Sequence, residues 1–177
     1  MSVRRSIRLL AVAATVLALS SCSKSVLQAP ADKIIKNPVF EISGLPLGAG
    51  AGAVVPLTGS QLINGAVGGS LSVGSFRVEV PAGAFQGSAT ISITQSDPGI
   101  LVCDLGISPL SANQFAVPVS LVARLPSATA LITDQNMWYD PSAQGWRLIG
   151  SAPDPLSGEL RSVLWHFSTY ATGRAGW

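Results

Sequence analysis

An all-β fold is predicted, an antiparallel β-sandwich preceded by a cleaved signal helix and a flexible tether. Three observations predict it. Apolar and polar residues alternate at period two in several short segments beyond residue 70. Turn-forming residues separate those segments at about every 8–12 residues, the spacing of an antiparallel sandwich. Gly (18) and Pro (12) are plentiful among the 177 residues, and no stretch beyond the N-terminal segment sustains helical periodicity over three turns. Hydrophobic residues make up 47% of the chain and charged residues 11%, which is enough apolar material for one core.

The N-terminus is read first. Met1 to Arg8 is basic, and Leu9 to Leu19 is an apolar run of signal-peptide length, too short to span a bilayer as a stable helix. Leu19-Ser20-Ser21-Cys22 follows directly and reads as a lipobox: an aliphatic residue, two small residues that lie flat in a peptidase cleft, and a cysteine. The cysteine is required because a thiolate is the nucleophile that forms the thioether to diacylglycerol. The alternative is an ordinary secretory signal with a chance cysteine. Residues 1–21 are therefore expected to be the signal peptide, 22–39 the lipidated Cys22 with a flexible linker, and 40–177 the folded domain. Buried acyl methylenes contribute about 0.8 kcal/mol each, so two or three chains hold a protein on a lipid bilayer without a transmembrane helix. The expected location is the cell envelope. Ser23 suits onward transfer to an outer membrane if the organism has one; otherwise the anchor sits on the outer face of the plasma membrane.

Charge narrows the partners. The formal net charge of +2 includes Arg4, Arg5 and Arg8 of the segment to be removed, and from Cys22 onward eight Lys/Arg against nine Asp/Glu leave −1. Nucleic acid is excluded, since its recognition needs clustered cations. Lipidation would consume the sulfur of Cys22, so Cys103, the other cysteine, has no intramolecular disulfide partner and is expected to be buried as a small hydrophobe in the apolar run Ile100 to Leu105.

The strands follow in order. Val54, Val55 and Leu57 can begin an edge strand. Phe76, Val78 and Val80 alternate with Arg77 and Glu79, placing apolar groups on one face and an opposite-charge pair on the other. Pro81-Ala82-Gly83-Ala84 ends that strand. Ala89, Ile91 and Ile93 alternate with Thr90, Ser92 and Thr94 up to the turn Asp97-Pro98-Gly99. Further strands are expected at Ile100 to Ile107, Val117 to Leu125, Met137 to Tyr139, Trp146 to Ile149, Leu160 to Trp165 and Phe167 to Thr172. The loop from Asp140 to Gly145 should bring Trp138-Tyr139 against Trp146-Arg147 as a cross-strand aromatic cluster.

These segments together carry a resemblance. Gly68-Gly69-Ser70-Leu71, Phe76 to Phe85, Ala89 to Thr94, Phe115 to Leu121, Met137-Trp138-Tyr139-Asp140, Gly145-Trp146-Arg147-Leu148 and His166-Phe167-Ser168-Thr169-Tyr170 resemble the ZU-five domain of ankyrins and netrin receptors over about Gly68 to Thr172. The resemblance implies a β-sandwich used as a structural or protein-contact module, here with an envelope or surface protein as partner.

Three further possibilities stand beside it. Some ZU-five proteins cleave themselves between the Phe and Ser of a His-Phe-Ser tripeptide, so the resemblance implies a self-cleaving alternative at His166, Phe167 and Ser168, in which the Ser168 hydroxyl attacks the Phe167 carbonyl and His166 aids proton transfer. The structural alternative has His166 packing at a strand end, Phe167 filling the core and Ser168 bonding locally. Trp138, Tyr139, Trp146 and Trp165 are candidate stacking platforms for a carbohydrate-binding surface, or else core and hairpin clasp. Asp97, Asp104, Asp134, Asp140 and Asp154 lie in or near turns, where aspartate serves backbone bonding and also binds calcium. No metal, cofactor or catalytic activity is expected: His166 is the only histidine, and no Gly-rich phosphate loop precedes a helix.

Overall fold

The computed structural model describes residues 34–40 and 54–175. Its elements are β1 (Ile34–Ile35), β2 (Pro38–Phe40), β3 (Leu57–Asn64), β4 (Gly69–Val73), β5 (Phe76–Val80), β6 (Ser88–Gln95), β7 (Val102–Ser108), a 3-10 turn (Leu110–Ala112), β8 (Val119–Arg124), α1 (Ala128–Thr133), β9 (Gln135–Asp140), β10 (Gly145–Leu148), β11 (Ser151–Asp154), β12 (Glu159–Leu164) and β13 (Thr169–Ala175). The signal segment, the lipobox Leu19, Ser20, Ser21 and Cys22 lie outside the described residues.

The described chain is all-β but for one short helix. Two antiparallel sheets share a core: one runs β1-β10-β9-β13-β7-β6-β3, with β2 also on β13, and the other runs β11-β12-β8-β5-β4. Alternation explains the layering. Phe76, Val78 and Val80 of the smaller sheet and Ala89, Ile91 and Ile93 of the larger all turn inward and are buried together with Cys103, Leu121 and Phe167. Each Val, Ile, Leu or Phe among them that is removed from water contributes on the order of 1.5–3 kcal/mol. β3 is an edge strand as expected, but it begins at Leu57 and leaves Val54 and Val55 outside it.

The boundaries depart from expectation in three places. Residues 34–39 fall within the stretch expected to be tether and Phe40 at the expected start of the domain, yet 34–40 supply two strands. Ile35 pairs with Trp146, and Phe40 pairs with Gly173. The strand expected at Ile100 begins at Val102, because Ile100 N closes the preceding turn on Asp97 O. Phe167 and Ser168 precede β13 rather than opening it, since they belong to the segment that crosses from one sheet to the other. The helix α1 lies in a segment without sustained periodicity; Ser127 caps it by accepting from Ala130 N.

The segment 34–40 has a topological effect. β1 pairs with β10, β10 with β9, β9 with β13, and β13 with β2, and the two residues Lys36 and Asn37 between β1 and β2 close this path into a circuit through the chain rather than through a further ladder. A second apolar cluster forms on the face turned from the main core, with Ile35, Met137 and Ala171 buried. Phe40 and Tyr139 meet Trp146 edge-on at 5.1 and 5.4 Å between ring centroids; the Tyr139–Trp146 contact is the one expected across the 140–145 loop, Phe40 joins it from β2, and Trp138 turns to the main core instead. Gly173 is required where β2 crosses β13, because a Cβ there would run into the backbone of Val39 and Phe40.

Strand register sets which loops share an end. Asn64 pairs with Ser88, Gly69 with Val80, Glu79 with Ser120, and Leu164 with Val119, so loops 65–68, 81–87, 109–118 and 165–168 all gather at one end of the sandwich.

Candidate functional site

The sheet-to-sheet crossover after β12 holds His166, Phe167 and Ser168, the one tripeptide with candidate chemistry. Leu164 ends a strand of the smaller sheet and Thr169 begins one of the larger, so four residues must turn between layers while keeping their backbone groups bonded. They manage it with side chains and neighbouring loops. Trp165 O accepts from Phe115 N at 3.0 Å and Ser168 O accepts from Leu105 N at 3.0 Å. The buried Tyr170 hydroxyl donates to His166 O at 2.6 Å, reaching back four residues as a tyrosine corner does in β-sandwiches. Burial pushes the Tyr170 phenol well above its ordinary value, so it stays protonated and donating.

Asn113 completes the corner. Phe167 N donates to Asn113 Oδ1 at 2.6 Å, and Asn113 Nδ2 donates to Phe167 O at 3.1 Å. One side-chain amide thus imitates a strand neighbour. The Phe167 ring is buried and lies edge-on to Phe115 at 4.9 Å, as expected of a core residue. His166 is half-buried against Trp138, ring to ring at 5.3 Å, and its Nδ1 stands 3.4 Å from Phe167 O. The imidazole therefore faces the carbonyl oxygen and makes no hydrogen bond to the Ser168 hydroxyl among the described residues. The role of Asn113 is not visible in sequence, where an asparagine in Ser-Ala-Asn-Gln reads as an ordinary turn residue.

The four candidate stacking rings do not form one platform. Trp138 packs against the main core, while Tyr139 and Trp146 lie on the opposite face of the larger sheet in the clasp. Trp165 alone is exposed, at 53%.

The candidate calcium aspartates are spread and locally engaged. Asp97 accepts from Gly99 N, Asp104 from the Thr169 hydroxyl, and Asp154 from Leu156 N and the Ser157 hydroxyl. Asp134 accepts from the Thr133 hydroxyl and lies 3.8 Å from Arg174. The Ser142 hydroxyl and the Arg147 guanidinium hold the Asp140 carboxyl well below the usual carboxylate range. Among the described residues no three of His, Cys, Asp and Glu converge as metal ligands. Cys103 is buried and its thiol is pushed up by desolvation, away from reactive thiolate character.

The outer face of the smaller sheet carries an ion-pair grid. Arg77 spans Glu79 at 2.9 Å and grips Glu159 with both terminal nitrogens at 3.0 and 2.8 Å, and Arg161 bonds Glu79 from the far side of β8. Arg77 and Arg161 flank Val122 in register, and the grid covers that valine, which is buried. Sequence alternation placed Arg77 and Glu79 on one outer face; Glu159 and Arg161 join them through non-local pairing.

Comparison with family models, curated proteins and solved structures returned no match.

Proposed function

We propose that the chain is a membrane-anchored extracytoplasmic lipoprotein, acylated at Cys22, whose ZU-five-like β-sandwich serves as a structural and protein-contact domain. The observation that carries this reading is Leu19-Ser20-Ser21-Cys22 set directly behind a basic and then apolar leader. The ion-pair grid supports the contact role. Held side chains present a polar surface with little entropy left to lose on binding. Cross-linking in intact cells followed by capture of the full-length protein tests the contact. Recovery of a specific envelope or surface protein is expected, and a chain that cross-links to nothing in its native membrane contradicts it.

A second reading is favoured by the geometry at Phe167 O, on which Asn113 Nδ2 and His166 Nδ1 converge. An imidazole N–H and an amide N–H there would stabilise charge developing on that oxygen if the Ser168 hydroxyl attacked the carbonyl carbon. The peptide C–N bond would break as the ester C–O bond forms, the hydroxyl proton would pass to the freed Ser168 amine, and water would hydrolyse the ester. Intact mass decides: a chain that runs unbroken through Trp177 eliminates self-cleavage.

A further inference from the structure

The four loops gathered at the crossover end, 65–68, 81–87, 109–118 and 165–168, contain no Asp, Glu, Lys or Arg. They do carry exposed apolar side chains: Val67 at 76%, Leu110 at 79%, Val117 at 39% and Trp165 at 53%. The loops are joined to one another, since Gly83 N bonds Gly65 O and Phe115 N bonds Trp165 O. A protein-binding patch ordinarily has a polar rim around its apolar centre. Here the polar residues exposed on the loops include Gln86, Ser111 and Gln114, and all of them are uncharged.

We infer that the crossover end is seated on a neutral phospholipid surface, with Trp165, Leu110, Val67 and Val117 entering the interfacial layer. This rests on the lipid anchor proposed above. An indole has an apolar body and one N–H donor, the combination that settles at headgroup depth, and aliphatic tips without charges lose nothing by leaving water. The chain outside the described residues sets the reach. Ile34 pairs with Arg147, two residues after Gly145, where β10 leaves the 141–144 turn at this same end. Two strand residues are about 7 Å. The segment 23–33 between Cys22 and that point can span at most roughly 35–40 Å, so the anchored domain stays close to the bilayer, and its charge-free end is the face suited to meet it. Lys36, whose ammonium bonds Ala143 O on the flank of this end, is placed to reach headgroup phosphates. The ion-pair grid lies on the outer face of the smaller sheet, reaches no nearer these loops than Glu79, next to the last residue of β5, and stays available to a protein.

Fluorescence of full-length protein in phosphatidylcholine vesicles with brominated acyl chains tests the inference, with Trp165→Phe to isolate one indole and the intact mass of the same preparation to report acylation. Quenching that disappears in Trp165→Phe is expected. Leu110→Ser should weaken it, and provides the test if Trp165→Phe does not fold. Acylated, vesicle-bound protein whose Trp165 emission is untouched overturns the inference and leaves the anchor intact. Should the mass show no acyl chain, the anchor fails, and quenching on adding vesicles to the unacylated chain still supports or overturns the seating. Trp165 cross-linked to a protein in native membranes, with no quenching by lipid, also overturns it.

Discussion

The side-chain amide of Asn113 holds both backbone groups of Phe167, accepting from its N–H at 2.6 Å and donating to its C=O at 3.1 Å. No main-chain neighbour takes that place at the crossover, so Asn113→Ala leaves the Phe167 N–H unpaired beside a buried ring and its C=O with only His166 Nδ1 at 3.4 Å. An unpaired group costs about 1–3 kcal/mol. Urea titration should show a lower midpoint with an unchanged slope. Asn113→Asp keeps the acceptor and loses the donor, and should fall between the two.

Tyr170 gives a signed pH dependence. Its folded-state value is raised by burial above the ordinary phenol value of about 10. Its contribution to stability is complete below that ordinary value and declines as pH rises through it, because the unfolded chain then gives up a proton the folded chain retains. Thermal unfolding from pH 8 to 11 should show this decline, and Tyr170→Phe should flatten it while costing about 1 kcal/mol at neutral pH for the lost bond to His166 O.

The acid side runs the other way. Glu79 is lowered chiefly by the hydrogen bond from Arg161, and Asp140 by the Ser142 hydroxyl and Arg147. Carboxylates lowered in the folded state stabilise it above their unfolded values near 4, and that stability is lost as pH falls through their folded values. Arg161→Ala should shrink the acid-side loss. Its neutral-pH cost should be no more than about 1 kcal/mol, since Arg161 and Glu79 are substantially solvent-exposed.

Gly173 tests the closed circuit. A Cβ at this position meets the backbone of Val39 and Phe40, and such overpacking costs about 1–3 kcal/mol. Gly173→Ala should raise hydrogen exchange at the amides of Val39 and Phe40 more than at those of β6, whose ladder does not touch the substitution. Equal change in both places would mean that the circuit does not depend on this close approach.

How much of this was legible in sequence depended on how local each signal was. Phe76 to Val80 and Ala89 to Thr94 read correctly because each buries one face against one core, so period two survives in the residues. Ile34-Ile35 and Pro38 to Phe40 did not, because strands of two and three residues carry no period, and Pro38 reads as linker. The edge strand Ser151–Asp154 was missed for a like reason, since Pro153 is tolerated only at a sheet margin. Phe167 was rightly expected in the core, but its place in a crossover depends on Asn113, 54 residues away in sequence. Likewise the partnering of Arg77 with Glu159 follows from the order β12-β8-β5, which no single segment encodes.

The central claim is the anchor, and the N-terminal peptide of the membrane-extracted protein tests it most directly by mass spectrometry. The account predicts a first residue Cys22 carrying diacylglycerol, with or without a third acyl chain, and loss of the membrane fraction in Cys22→Ser. A peptide that begins elsewhere, or an unmodified Cys22 on a protein still in the membrane, would contradict it.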